Sequence, residues 1–404
     1  MRRGRGRGSR RGVERADVVI LGAGAAGMLA AVEAGRRGRR VVLLDHARRP
    51  GEKIRISGGG RCNFTNLQIE PERFLSANPR FALSALKRFT QHDFIARVDA
   101  AGIAWHEKTL GQLFCDGSAR EIIAMLTGDM AEAGVDLRLG VTVEDVAREG
   151  DGFRVETSGG TLAASSLVAA TGGRSVPKMG ATGFGHRLAE RFGLRLVEPR
   201  PGLVPLTFTD GAREGMAALS GLSVEARVAC GRASFDEGLL FTHRGLSGPS
   251  ILQISSYWRE GEAIVVDLAA GRDAAAALRE RRGRGGRVSV KNALAEILPE
   301  KLAAAVTERA GVGGRLADQS DARLERLGAA VHGWRVAPAG SEGWRTAEVT
   351  LGGVDTRDLD ARTMMAREVP GLFFVGEVVD VTGWLGGYNF QWAWSSGWAA
   401  GQVC

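Results

Sequence analysis

Cysteine is scarce in this 404-residue chain: four residues, at positions 62, 115, 230 and 404, far apart and with no Cys-x-x-Cys pair. That spacing excludes a disulfide framework and a paired redox motif. No apolar run reads as a membrane span. The first one begins only at Val18 and is interrupted by glycines, which excludes a secretory signal. A cytoplasmic protein without a membrane partner is expected, and no metal site is read. Tyrosine is also rare, with two residues, and no aromatic interrupts the N-terminal "MRRGRGRGSRRG". The net charge of +8 owes six to the arginines at 2, 3, 5, 7, 10 and 11, which leaves +2 for residues 13–404. An Arg/Gly tail over 1–12 of this composition is expected to be disordered and solvated, not an RNA-binding arm.

The remaining length can bury the cores of two or three domains. In "ADVVILGAGAAGMLAAVEAGRRGRRVVLLD", a short apolar strand over Val18–Leu21 runs into Gly22, Ala23, Gly24, Ala25, Ala26 and Gly27. An alanine-rich helix to about Gly35 follows, then a second strand ending on Asp45. This is a βαβ unit with Gly-x-Gly-x-x-Gly in its first turn and an acid about 20 residues on. Gly22 makes the tight turn, Gly24 admits a pyrophosphate to the backbone, and Gly27 lets helix and strand close up. The helix N-terminus directs unpaired N–H groups at the phosphates. Asp45 suits both hydroxyls of an adenosine ribose and disfavours a 2′-phosphate, so the ligand is FAD or NAD. The far end of the chain selects FAD. There "LFFVGE" reads as a strand running into Gly376 and Glu377, and Gly386-Gly387 precede a helix rich in small residues. In many flavoproteins such an acid binds a ribityl hydroxyl, and the next helix directs its positive end at the flavin N1/O2 edge.

Five blocks carry a close resemblance: "GEKIRISGGGRCNFTN", "ATGGRSVPKMGATGFG", "THRGLSGPSILQIS", "AEVTLGGV" and "PGLFFVGEVVDVTGWLGGYNFQWAWSSG". From about Ala16 to Gly401 the chain resembles bacterial NAD(P)/FAD-dependent oxidoreductases of the BaiN/YhiN type, also known as the aminoacetone oxidase family of FAD-binding enzymes. The resemblance implies an α/β protein: a glutathione-reductase-like FAD-binding Rossmann fold with an inserted, mostly β domain and a small helical cap. The boundaries expected are 13–195 and 350–404 for the FAD-binding domain and 196–349 for the insert, with helices over about 272–330 that would close over the flavin.

The resemblance also implies site residues. Ser57, Gly58, Gly59 and Gly60 form a backbone cradle for the cofactor. Arg61, Cys62 and Asn63 then lie near the isoalloxazine. Cys62 is a thiolate partner of the flavin or a small packing residue, and Lys53 either serves a phosphate or solvates a loop. Thr171, Gly172 and Gly173 resemble the Ala-Thr-Gly-Gly turn that flavoproteins bring against the cofactor, and Val143 could present its backbone to adenine. Gly386, Gly387, Tyr388, Asn389, Phe390 and Gln391 begin the helix aimed at the flavin. Cys62, Asn63, Lys178 and Tyr388 are the candidate catalytic residues.

No second strand–Gly-x-Gly-x-x-Gly–helix exists for NAD(P)H, because "AGVGGR" at 310–315 follows a helix. NAD(P)H is therefore expected only as a transient co-substrate. The activity expected is hydride transfer between FAD and a small organic substrate, above all reduction of an activated C=C bond. The alternatives are a flavin amine oxidase using O₂ and an FAD-containing protein that binds RNA or modifies tRNA. "RERRGRGGR" at 279–287 reads as a solvated turn, and Gly-Leu-Ser-Gly at 245–248 as a turn into a helix.

Overall fold

The computed structural model describes residues 13–177, 180–285 and 287–404, with the side chain of Asp210 excepted. The Arg/Gly tail and Lys178 therefore lie outside the described residues. Two compact units emerge: residues up to Arg200 together with 349–404, and Pro201–Glu348.

In the first unit the continuous apolar stretches form a parallel sheet. Strand β1 (Glu14–Leu21) lies between β2 (Val41–Asp45) and the strand Gly160–Ala169. The strand Asp136–Leu139 adds to the outside of β2. On the other side, Leu372–Phe374 pairs in parallel with the end of Gly160–Ala169, Leu167 opposite Leu372. The beginning of that same strand pairs antiparallel with Gly152–Thr157, which continues to Val143–Glu149. Val18, Val19, Ile20 and Leu43 are fully buried, as strands covered on both faces require. The parallel strands all end on one edge, at Leu21, Asp45, Ala169 and Phe374. In open sheets of this kind ligands bind outside that edge.

Helix α1 (Ala25–Arg36) follows β1, and the helix Tyr388–Gly401 packs against it. Small residues set that approach. A Cβ on Gly397 would stand 2.4 Å from the Ala26 carbonyl oxygen, and one on Gly401 2.5 Å from the Glu33 Cβ. Ser396 ties the helix to the preceding strand by accepting the Gly376 N–H at 2.9 Å.

The second unit is a seven-stranded antiparallel sheet whose longest strands are Ser223–Cys230 and Ala233–Thr242, joined to helices between Ala274 and His332. Gly245–Ser247 is a strand that leads into the helix Pro249–Ser255. The "RERRGRGGR" segment differs from the turn expected, because 279–285 continue the helix Ala274–Gly285. Four of its arginines pair with acids: Arg279 with Glu325, Arg281 with Glu296, Arg282 with Asp321 and Arg284 with Glu280. Three of these pairings were invisible in the sequence because their acids lie 15 to 46 residues away.

Candidate cofactor site

The turn after β1 separates three glycines by what surrounds them. Gly22 has φ +109°, and a Cβ there would stand 2.4 Å from the Ala170 oxygen. A Cβ on Gly27 would lie 1.9 Å from the Gly22 oxygen. Both glycines are demanded by packing. A Cβ on Gly24 meets nothing within 4 Å, so this glycine faces open space at the N-terminus of the twelve-residue α1. The helix begins with no acidic side chain in its first turn, which leaves its positive end and its unpaired N–H groups uncompensated. Asp45 is fixed at the tip of β2: its two oxygens accept the Ala23 N–H at 2.7 Å and the Ala47 N–H at 2.8 Å. The other lone pairs of that carboxylate stay available to ribose hydroxyls.

Ser57–Gly60 is a kinked turn in which Gly58 and Gly59 take left-handed backbone angles, φ +56° and +66°. The sequence treats these glycines alike; the structure does not. A Cβ on Gly58 would press into the Phe114 ring at 2.7 Å, whereas one on Gly59 meets nothing within 4 Å and one on Gly60 only the Arg55 oxygen at 3.9 Å. Gly172 is similarly open, its nearest neighbour being Glu377 Oε2 at 4.0 Å, while a Cβ on Gly173 would strike Thr350 Oγ1 at 2.1 Å. Gly24, Gly59, Gly60 and Gly172 thus leave backbone with no protein atom crowding the side-chain direction, as the close approach of a pyrophosphate-bearing dinucleotide requires. The residues present fit FAD on that observation.

Lys53, on the short helix Glu52–Ile56, donates to Glu377 Oε2 at 2.6 Å and to Ser175 Oγ at 2.7 Å. Ser175 Oγ and the Thr350 N–H donate in turn to Glu377 Oε1 at 2.9 and 2.8 Å. Burial works against the charged form of Glu377, but the Lys53 ammonium and these donors outweigh it and hold the carboxyl below the usual range. Neither the pairing of Lys53 with Glu377 nor the parts of Ser175 and Thr350 had a signal in the sequence. Val143 opens the strand Val143–Glu149, half-buried and opposite Thr157.

At the other end of the chain the outcome departs from expectation. A Cβ on Gly386 would meet Gln112 at 2.9 Å, and one on Gly387 the Thr65 oxygen at 2.3 Å. Both glycines are filled from the protein side. Gln391 is fully buried; it accepts from Thr65 Oγ1 at 2.7 Å and donates to the Phe89 oxygen and to Ser395 Oγ. Asn389 closes the turn by bonding both polar groups of Gly383 at 2.9 Å. Phe390 stacks on Trp394 at 5.7 Å. The side chains of Asn389 and Gln391 are therefore committed to the fold and not to a cofactor. Helical periodicity carries Gln391 to the inner face.

The catalytic candidates fare similarly. Cys62 is fully buried, with φ +53°. Burial pushes its thiol far above neutrality, so it stands as a neutral packing group and not as a thiolate. Its neighbour Cys115, also buried, is pushed up to about 12 by the same cause. With both its amide ends satisfied, Asn63 donates to the oxygens of Thr65 and Leu113 and accepts the Gly387 N–H at 3.2 Å. It clasps the glycine turn. Arg61 is exposed, and its carbonyl accepts the Cys115 N–H at 3.0 Å. Tyr388 is buried, its hydroxyl accepting Arg73 Nη1 at 2.5 Å, with the Arg73 guanidinium also 5.4 Å from the Trp384 ring centre. Arg73 was not singled out in the sequence; nothing near it marks it.

Among the described residues, no helix is long and apolar enough to cross a membrane. The chain matches the HI0933-like protein Rossmann domain over residues 16–403. It is 52% identical over 392 residues to the ribosomal RNA dihydrouridine synthase of Escherichia coli K12, covering 96% of this chain and 98% of that one. It is 28% identical to the 3-dehydro-bile acid delta(4,6)-reductase of Clostridium scindens, covering 95% and 98%. Among solved structures, the 3-ketosteroid-delta4-(5alpha)-dehydrogenase of Rhodococcus jostii RHA1 shares the fold, with TM-score 0.50, 15% identity and 99% of both chains covered. With its parallel sheet, its glycine-lined edge and a match along nearly its whole described length, the chain belongs to the HI0933-like family of Rossmann-domain proteins.

Proposed function

We propose that this chain, an FAD-dependent oxidoreductase, reduces the C5=C6 bond of uridine in ribosomal RNA. The observation that supports this most is the 52% identity to a ribosomal RNA dihydrouridine synthase along almost the whole of both chains. Bound and reduced, FAD supplies a hydride. The uracil double bond is conjugated to the C4 carbonyl, so a hydride adds at C6 and a proton at C5. The chain's own contribution is positional. Gly24, Gly59, Gly60 and Gly172 give the cofactor backbone to lie on, and Asp45 takes the adenosine ribose. The Tyr388–Gly401 helix offers the N–H groups of its first turn to the flavin, held there by Asn63, Asn389 and Gln391. NAD(P)H serves as transient donor, in keeping with a single dinucleotide fingerprint.

The small-molecule reading keeps one specific support, the relative named as a bile acid reductase. Its substrate class shares the same chemistry, a C=C bond in conjugation with a carbonyl. One experiment separates them. Purified holoprotein is given NADH or NADPH with ribosomal RNA from cells lacking this activity, and in parallel with a 3-oxo-4,6-diene bile acid. A gain of two hydrogens on one uridine, seen by nucleoside mass spectrometry, supports the RNA reading; turnover of the bile acid with the RNA untouched rejects it.

A further inference from the structure

The Lys53–Glu377 pair joins segments 324 residues apart, and its geometry is asymmetric. Glu377 Oε1 holds two donors, the Ser175 hydroxyl and the Thr350 N–H, while Oε2 holds Lys53. Oε2 is also the atom that lies 4.0 Å from the open side of Gly172. Both oxygens face the Thr171–Gly173 turn: Oε1 lies 2.9 Å from a Cβ on the crowded Gly173, while Oε2, the less occupied oxygen, lies on the open side of Gly172. The support behind it is rigid: Thr350 Oγ1 accepts the Arg174 N–H at 2.7 Å, and Thr382 Oγ1 donates to the Thr350 oxygen at 2.9 Å.

We propose that Lys53 is a positioning residue for FAD: it neutralises Glu377 and holds Oε2 toward the ribityl chain, so that this carboxylate serves as a hydrogen-bond acceptor and not as a bare charge. The inference rests on FAD lying along Gly24, Gly59, Gly60 and Gly172. A partly buried carboxylate without its cation is strongly unfavourable, because the loss of one partner leaves the other uncompensated. Beside a flavin that gains negative charge on reduction, that bare charge would also repel the reduced cofactor. Removing both charges removes the penalty, so the two substitutions should not add.

The test is FAD affinity, read by flavin fluorescence on reconstituted apoprotein, for wild type, Lys53→Met, Lys53→Arg, Glu377→Gln and the Lys53→Met/Glu377→Gln double variant. At pH 8, Lys53→Met should bind about tenfold more weakly, the scale of one uncompensated partly buried charge. Its affinity should recover as the pH falls and Glu377 takes up a proton. Lys53→Arg should stay near wild type, and the double variant should bind more tightly than Lys53→Met. Should Lys53→Met fail to fold, the double variant, which has no uncompensated charge, should fold and bind within a few-fold of Glu377→Gln. Wild-type affinity in Lys53→Met, or a double variant no better than Lys53→Met at every pH, overturns the proposal. A wild-type protein that never takes up FAD overturns instead the placement of the cofactor on which it rests.

Discussion

Two glycine-rich turns open the helices of the first unit, and they solve opposite problems. At 22–27 the outer glycines are packed tightly and the middle one is free: Gly24 has nothing within 4 Å of a Cβ. At 383–391 no glycine is free. Gly383, Gly386 and Gly387 would each drive a Cβ to within 3 Å of Tyr388, Gln112 or Thr65, and the polar side chains that follow bind the protein itself. The first turn spends glycine on access, the second on assembly. The same letters thus carry two physical demands, which only their neighbours distinguish.

Substitutions can break this contrast at several depths. Gly27→Val should have the largest effect, because a Cβ 1.9 Å from a backbone oxygen cannot be accommodated. Little soluble folded protein is expected, measured by circular dichroism of the purified fraction. Gly24→Val comes next, and it should act on the ligand alone. Its backbone, φ −87° and ψ −172°, is open to any residue, so the unfolding temperature of the apoprotein should stay unchanged while bound FAD is lost. A variant that purifies fully yellow would end the assignment of this turn. Gly387→Val should reverse that pattern. A β-branched residue at φ +95°, against the Thr65 oxygen, should cost about 3 kcal/mol of stability, seen as a lower urea midpoint even without cofactor. Gln391→Leu should cost about 1–3 kcal/mol by leaving Thr65 Oγ1 without its acceptor.

The last effect vanishes at neutral pH and belongs to a residue on the helix Phe184–Arg191 of the first unit. His186 is fully buried, and its contact with the Val378 backbone does not offset that burial. Burial, followed by the nearby Arg174, lowers its pKa to about 4. The unfolded chain binds a proton near pH 6.5 and the folded one does not, so stability should decline as the pH falls from about 6.5 to about 4. His186→Phe should flatten that part of the profile; an unchanged slope would locate the acid sensitivity elsewhere.

How much of this was legible in the sequence depends on distance along the chain. The βαβ unit is local: its strand, glycines, helix and terminal Asp45 fall within 32 residues, and each is where its spacing puts it. The division of the glycines is not local. Gly58 and Gly59 are adjacent and share a backbone conformation, yet only Gly58 has Phe114 beneath it, and Phe114 belongs to another strand. Glu377 looked like a ribityl ligand because its strand ends in Gly-Glu; that Lys53 would meet it required the fold. Gln391 and Asn389 looked available because polar residues near a cofactor motif invite that reading. Their partners, Thr65, Phe89 and Gly383, come from segments that no periodicity connects to them.

Strand Leu372–Phe374 and helix Tyr388–Gly401 complete a sheet and a core begun by the first 170 residues. During synthesis β1, α1 and β2 leave the ribosome long before their covering helix exists, and the whole of Pro201–Glu348 is made in between. Until then the face of α1 that Gly397 and Gly401 will close against is bare, and Lys53 has no Glu377. On the placement proposed above, cofactor capture waits until Glu377 and this helix have been made. A chain stopped before residue 377 holds half of the proposed site and an exposed apolar helix, a combination that marks it for chaperones and proteases.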